Sequence, residues 1–233
     1  MKPPRITIFL AALALALGLA IGGYFVGEGI AMRSGRRLVS VKGLSEKEVP
    51  ASVAIWNINY ITSGNTLDEI NKSLSESTKA VVAFLKAQGF DEKDISVQPP
   101  SVHDTSTDSH DKESSPPTRY TASQTVLLRT ANIDGVKPAL AAASSLMGSG
   151  VLLSGNLNPS YIFNQLNDIK PGMIEEATKN ARVAADRFAE DSQTTLGKLH
   201  SASQGWFEVE DRDAATPERK IVRVVVDVQY ELK

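Results

Sequence analysis

From Ile221 to Tyr230 the chain alternates: Val222, Val224, Val226, Val228 and Tyr230 fall on one side, and Arg223, Asp227 and Gln229 on the other. A period of two places successive side chains on opposite faces of a strand, so this segment predicts a strand with one buried face. Val49 to Ile61, rich in β-branched and aromatic residues (Val53, Ile55, Trp56, Ile58, Tyr60), predicts a long strand. Shorter strands are expected over Leu38–Gly43, Ile95–Val102 and Leu199–Val209, and within Val151–Phe163. A further strand is expected over Tyr120–Thr130, with Ala122, Val126 and Leu128 on one face.

Helical spacing begins after Thr66-x-x-Glu69, a capping-box pattern in which hydroxyl and carboxylate each satisfy an orphan amide. Leu67, Ile70, Leu74, Val81 and Leu85 form the apolar stripe, and Gly89 is placed to end the helix. A bridging helix is expected with Asp134 as its cap and Val136, Leu140, Ala143 and Met147 on one face. A longer one opens at Asp168 and Pro171, carries Met173, Ala177, Ala181, Ala184 and Phe188, and ends at Gly197. Both halves then read strand–helix–strand–strand, offset by roughly 100 residues, which suggests duplicated units. The class expected is α+β: mostly antiparallel sheets with amphipathic helices packed on one face. Between His103 and Thr118 large apolar residues are missing and Ser, Thr, Asp and Pro dominate, so residues 103–118 are expected to form a polar hairpin loop.

The N-terminus changes this picture. Lys2 and Arg5 precede an uncharged apolar stretch from Ile6 to Val26, about the ~20 residues a helix needs to cross the hydrocarbon core. This predicts a cytoplasmic tail at residues 1–5, a transmembrane anchor at 6–26, a linker at 27–37 and an exported domain at 38–233. The positive charges on the two sides nearly balance, with Arg33, Arg36 and Arg37 facing Lys2 and Arg5, so orientation rests on the short tail before a first apolar helix, the usual mark of export. The expected location is the inner membrane, single-pass, with the C-terminal domain in the periplasm. The competing reading is a cleaved signal peptide, with Gly27 and Gly29 as small cleavage-site residues and the mature chain secreted to the periplasm. Gly18-x-x-x-Gly22 and Gly23-x-x-x-Gly27 have the spacing of close membrane-helix contacts, against which stands plain lipid-facing packing.

Composition narrows the chemistry. Lys and Arg (25) and Asp and Glu (27) are interspersed and nearly cancel, whereas nucleic-acid binders gather cations on one face, so no nucleic-acid partner is expected. The chain has no cysteine, which removes disulfides, thiolate metal sites and cysteine nucleophiles. His103, His110 and Asp108 share one short loop and are the candidate metal ligands. That loop offers no packed residues to hold them, so a solvated tip is the plainer reading and no metal or other cofactor is expected. His200 lies beside Ser201 and Ser203 without the strained nucleophile turn of a hydrolase, and Gly148-Ser149-Gly150 is a flexible junction. Gly150 and Gly155 are followed by no P-loop lysine, and Asp186 with Glu190 reads as a solvated helix face. No catalytic constellation is found, so a non-enzyme is expected. Trp56 and Trp206 are expected in sheet packing, the sharper alternative being an aromatic at an oligomer contact.

Two longer stretches bear a likeness to a known family. Val39-Ser40-Val41-Lys42-Gly43, followed by Pro50-Ala51, resembles the opening strand pair of SIMPL-domain proteins. Glu175 to Ala189, with Ala177, Ala181, Arg182 and Ala185, followed by Leu196-Gly197-Lys198-Leu199, resembles their alanine-rich helix and its exit. Phe84 to Phe90 with Asp94-Ile95 is similar to their first helix end. The chain departs from the family where Ala51 and Ser52 stand in place of an aspartate, in the retained anchor, and in a longer polar loop. The resemblance implies an exported bacterial envelope protein with no established active site, whose relatives are linked to oxidative-stress tolerance and in some cases assemble into large rings or channel-like oligomers. A homo-oligomer is expected, and long strands such as Val49–Ile61 and Ile221–Tyr230 could pair between chains if they lie at sheet edges. The alternative is a periplasmic binding module for a small molecule, metal or envelope partner, with the polar loop as its contact.

Overall fold

Pro50 has no amide hydrogen to give a ladder, and the strand ends there. Strand β1 is therefore Arg37–Pro50 and β2 is Val53–Gly64, where the sequence pattern had suggested a short strand and one long one. The corner between them is pinned: the Ala51 amide donates to Glu218 O and the Ser52 amide to Ile162 O, both at 2.8 Å. The computed structural model describes residues 13, 15–25, 27, 37–107 and 118–233. Among these the remaining elements are α1 (Leu67–Ala87), β3 (Ile95–Val97), β4 (Ser101–Asp104), β5 (Tyr120–Thr130), α2 (Ile133–Ala142) and α3 (Ser145–Gly148). There follow β6 (Leu152–Leu153), β7 (Ser160–Ile162), α4 (Leu166–Asp191), β8 (Leu196–Asp211) and β9 (Arg219–Leu232). The class is α+β.

The chain divides into two compact units, neither continuous in sequence. One comprises Glu46–Pro171 and Phe207–Arg223. Its six-stranded sheet runs β3-β5-β2-β6, with β4 also on β5 and β7 also on β2, and every pairing is antiparallel. In the central β2–β5 ladder Trp56 faces Leu128, Ile58 faces Val126 and Tyr60 faces Gln124. Trp56, Ile58 and Tyr60 are buried together with Ile70, Leu74, Val81 and Leu85 of α1. Each large apolar side chain so buried contributes about 1.5–3 kcal/mol. The capping box forms as its spacing predicts: Glu69 N–H donates to Thr66 Oγ1 at 3.2 Å, and the Glu69 carboxylate accepts from the Thr66 amide at 3.3 Å. Gly89 ends the helix with φ +87°, and the Phe90 amide reaches back to Leu85 O at 3.1 Å.

The bridging region differs from expectation. Asn132, not Asp134, caps α2 by accepting from the Gly135 amide at 3.1 Å. Two short helices replace one, so the buried face becomes Val136, Ala139, Ala143 and Leu146, while Met147 is exposed. The strand expected over Ile95–Val102 is broken at Pro99 and Pro100, which cannot donate to a ladder.

The second unit comprises Met1–Ser45, Gly172–Trp206 and Val224–Lys233. In its part of α4 the residues Met173, Ala177, Ala181, Ala185 and Ala189 are buried, whereas Ala184 and Phe188 of the expected stripe are exposed. The buried positions recur every four residues, so the stripe drifts around the helix away from Phe188. The helix stops before Gly197: Gln193 takes φ +54° and the Thr194 amide bonds Ala189 O at 2.9 Å, which closes the last turn. Thr195 and Lys233 then exchange backbone hydrogen bonds at 3.0 Å. The three-stranded sheet has the order β1-β9-β8. Val222, Val224, Val226, Val228 and Tyr230 of β9 are buried, as their alternation requires.

Candidate functional site

The sequence candidates disperse. His103 ends up on the exposed short strand β4, while His110 and Asp108 lie outside the described residues. Among the described residues no three His, Asp or Glu side chains are gathered as a metal site. His200 is exposed on β8, and Asp186 and Glu190 are exposed on α4. The boundaries Ile6 and Val26 also lie outside the described residues. Among those residues no helix is long and apolar enough to cross a membrane.

The polar loop has a built base. The Arg119 guanidinium reaches the Asp104 carboxylate at 3.2 Å and lies 5.0 Å from the centroid of the Tyr120 ring. The Thr105 amide donates to Arg119 O at 2.9 Å, and the Arg119 amide to Asn65 Oδ1 at 3.2 Å. The Ser106 hydroxyl, and then Arg119, hold the Asp104 carboxyl below its ordinary pKa. Sequence reading missed this clamp; two charged residues flanking a polar run were its signal.

The condition set for pairing through Val49–Ile61 or Ile221–Tyr230, that they lie at sheet edges, is not met by β2 or β9. β2 is paired on both sides, by β5 and by β6 and β7, and β9 lies between β1 and β8. The outer strands of the three-stranded sheet are β1 and β8. Strand β8 is 16 residues long and no residue of it is fully buried. Trp206 is 92% exposed and Leu199 56%, contrary to the sheet packing expected for that tryptophan. From Leu199 to Phe207 the strand carries no Lys, Arg, Asp or Glu. Trp56 does pack as expected: it is wholly buried.

A groove of about 650 Å³ lies along α1, lined by Leu74, Thr78 and Val82 of the helix and by Val97, Pro100 and Gln124. It opens where β5 changes partners, from Val97 opposite Val126 to Ser101 opposite Ser123. Across that gap the Gln124 amide nitrogen donates to Gln98 O at 2.9 Å. The Tyr60 hydroxyl lies 3.0 Å from Gln124 Oε1 and 2.7 Å from Thr78 Oγ1, and the Thr78 hydroxyl donates to Leu74 O at 2.7 Å. Burial pushes the Tyr60 phenol above its ordinary pKa, with the Thr78 hydrogen bond acting in the opposite sense.

In the other unit β1 meets α4 at backbone distance. A Cβ on Gly43 would collide with Ala177 O and would stand 2.7 Å from Ala181 N. Immediately after Gly43 on the strand, Asn180 Nδ2 donates to Leu44 O at 2.8 Å and the buried Ser45 hydroxyl to Glu176 Oε2 at 2.7 Å. A glycine strand seated on an alanine-lined helix beside a long β8–β9 hairpin defines a class of α+β scaffold. The chain belongs to the SIMPL family, described as a protein of unknown function (DUF541), whose model matches residues 39–230. Among curated proteins none matches the chain.

Proposed function

We propose that this chain is a non-enzymatic, membrane-anchored protein of the bacterial envelope that self-associates along its outer strand β8. The anchor is the Ile6–Val26 segment and the periplasm the location of the body; a link to oxidative-stress tolerance, suggested by the family resemblance, belongs to the same reading. The observation that supports association most is β8 itself. Soluble proteins guard long outer strands with charges, prolines or bulges, because unpaired amides and carbonyls template pairing with another chain. The run from Leu199 to Phe207 has none of those charges and carries Trp206 exposed to solvent. Exposed tryptophan is a frequent anchor of protein interfaces. Support for the anchor comes from residues 15–25, which are helical and expose Leu15, Leu17, Leu19 and Ile21.

The test is light scattering on the full chain in mild detergent, beside Trp206→Lys. The wild type is expected to be a defined oligomer and the variant to dissociate at least tenfold more readily with its circular dichroism unchanged. A wild-type chain that stays monomeric at high concentration would sink the proposal. A second reading, a binding module that uses the 103–118 loop, is favoured by the Asp104–Arg119 clamp at the loop base. Under that reading removal of residues 106–117 abolishes capture of the partner while leaving thermal stability unchanged.

A further inference from the structure

We infer that the groove along α1 is a binding site for a single-chain aliphatic carboxylate. Its volume, about 650 Å³, falls within the range of about 300–1,000 Å³ typical of small-molecule sites. Its walls and its rim differ in chemistry. Leu74, Val82, Val97 and Pro100 offer an apolar trough, and a trough of this size holds one chain. The rim follows one helical stripe: Asn71, Ser75 and Lys79 are spaced four apart, and Lys86 continues the same side. Every polar side chain on that stripe carries hydrogen-bond donors, two of them are cations, and no carboxylate lines the groove. Lys86 is shared with Glu92 at 2.8 Å in an exposed pair that yields readily to a better-placed anion. Lys79 makes no ion pair among the described residues.

The floor explains why the body of the ligand must be apolar. Tyr60 and Thr78 supply two hydroxyl hydrogens, which are used on Leu74 O and Gln124 Oε1, and one of the two Gln124 amide hydrogens goes to Gln98 O. Both hydroxyls are thus engaged, and only the second Gln124 amide hydrogen is left for a polar body. The break at Pro99 and Pro100 keeps the trough open, since a continuous β3–β4 strand would need amide hydrogens that these two residues lack. The ligand that fits buries an unbranched chain against Leu74 and Val82 and leaves its carboxylate at Lys79.

The experiment uses the full chain in lipid nanodiscs, with empty nanodiscs as reference, titrated with carboxyl-labelled decanoate and followed by carbon-13 NMR. Decanoate is expected to bind at submillimolar concentration, and decyltrimethylammonium at least tenfold more weakly. Lys79→Glu is expected to weaken decanoate at least tenfold, and Ala83→Trp, an exposed lining position, to block it by filling the trough. Both sites face solvent on α1, so circular dichroism and melting temperature should match the wild type. Failure of decanoate to bind overturns the assignment. So does equal affinity for the cationic amphiphile, or for decanoate in the Lys79→Glu chain, because either result marks a nonspecific apolar surface.

Discussion

Gly43→Ala is the sharpest test of the β1–α4 contact. On an open strand this change is mildly favourable, because glycine loses more backbone entropy on folding than alanine, by roughly 0.5–1 kcal/mol. At this position the added methyl collides with Ala177 O and sits 2.7 Å from Ala181 N and 2.8 Å from Ala181 Cβ. Two of those three atoms are helix backbone, so no rotamer change relieves them; the strand must lift away from α4. Overpacking of this kind costs about 1–3 kcal/mol. Lifting the strand also lengthens the adjacent Asn180–Leu44 and Ser45–Glu176 hydrogen bonds, each worth about 1 kcal/mol net. The expected loss is about 3 kcal/mol in urea unfolding followed by circular dichroism, or a melting temperature lower by roughly 6–12 °C at this chain length. Ala181→Gly alone should cost about 1 kcal/mol as a mid-helix glycine. Because it removes one of the three collisions, the double variant Gly43→Ala, Ala181→Gly should lose less than the sum of the two single losses in a double-mutant cycle. A loss below about 0.5 kcal/mol, or any gain, would refute the close approach.

Two further perturbations probe the ends of elements. Gln193→Gly should stabilise the chain by about 0.5–1 kcal/mol, because the glutamine is held at φ +54° where glycine is unstrained; denaturant unfolding checks it, and a destabilised variant would contradict the helix end as described. Asp213, in the turn between β8 and β9, is held down to a pKa of about 2 by the Thr216 hydroxyl and then the Arg212 guanidinium. A carboxyl depressed in the folded state lends stability that is fully present above its ordinary value of 3.8 and is lost as pH falls through about 2. Its carbon-13 titration should therefore show a midpoint near 2, and a midpoint at the ordinary carboxylate value would remove the turn contacts.

Periodicity made the central elements legible. Alternation in β9, the Thr66–Glu69 box and the Ile70–Leu85 stripe each repeat a local rule often enough to outweigh one misleading residue. Errors fell where a single atom decides. Pro50 and the Pro99–Pro100 pair ended strands that apolar content alone would have continued, and Asn132 outcompeted Asp134 because its side chain sits one helical turn ahead of the Gly135 amide. Helical spacing alone puts Phe188 on the inward stripe, yet α4 packs through alanines, whose small side chains allow the approach of β1. The groove could not be read at all. Lys79 resembles any solvated lysine until the Pro99–Pro100 break places an apolar trough beside it.

Several of the residues that carry the family likeness serve the backbone. Gly43, Ala177 and Ala181 permit close contact, Gly89 reverses the chain, and none offers a reactive group. A family resemblance built on such positions passes on a scaffold, so function must be sought on surfaces the motifs do not specify. β8 is the element whose design the monomer explains least. Strand β9 buries one whole face, but β8 spans 16 residues and buries none of them fully. β8 is an outer strand of the three-stranded sheet, paired on one side by β9 and unpaired on the other, and an unpaired edge with exposed apolar residues invites another strand. A long outer strand with no Lys, Arg, Asp or Glu from Leu199 to Phe207 and with Trp206 exposed along it is the feature on which the self-association proposal rests. Trp206→Lys changes only that exposed position and leaves the buried face of β9 unaltered.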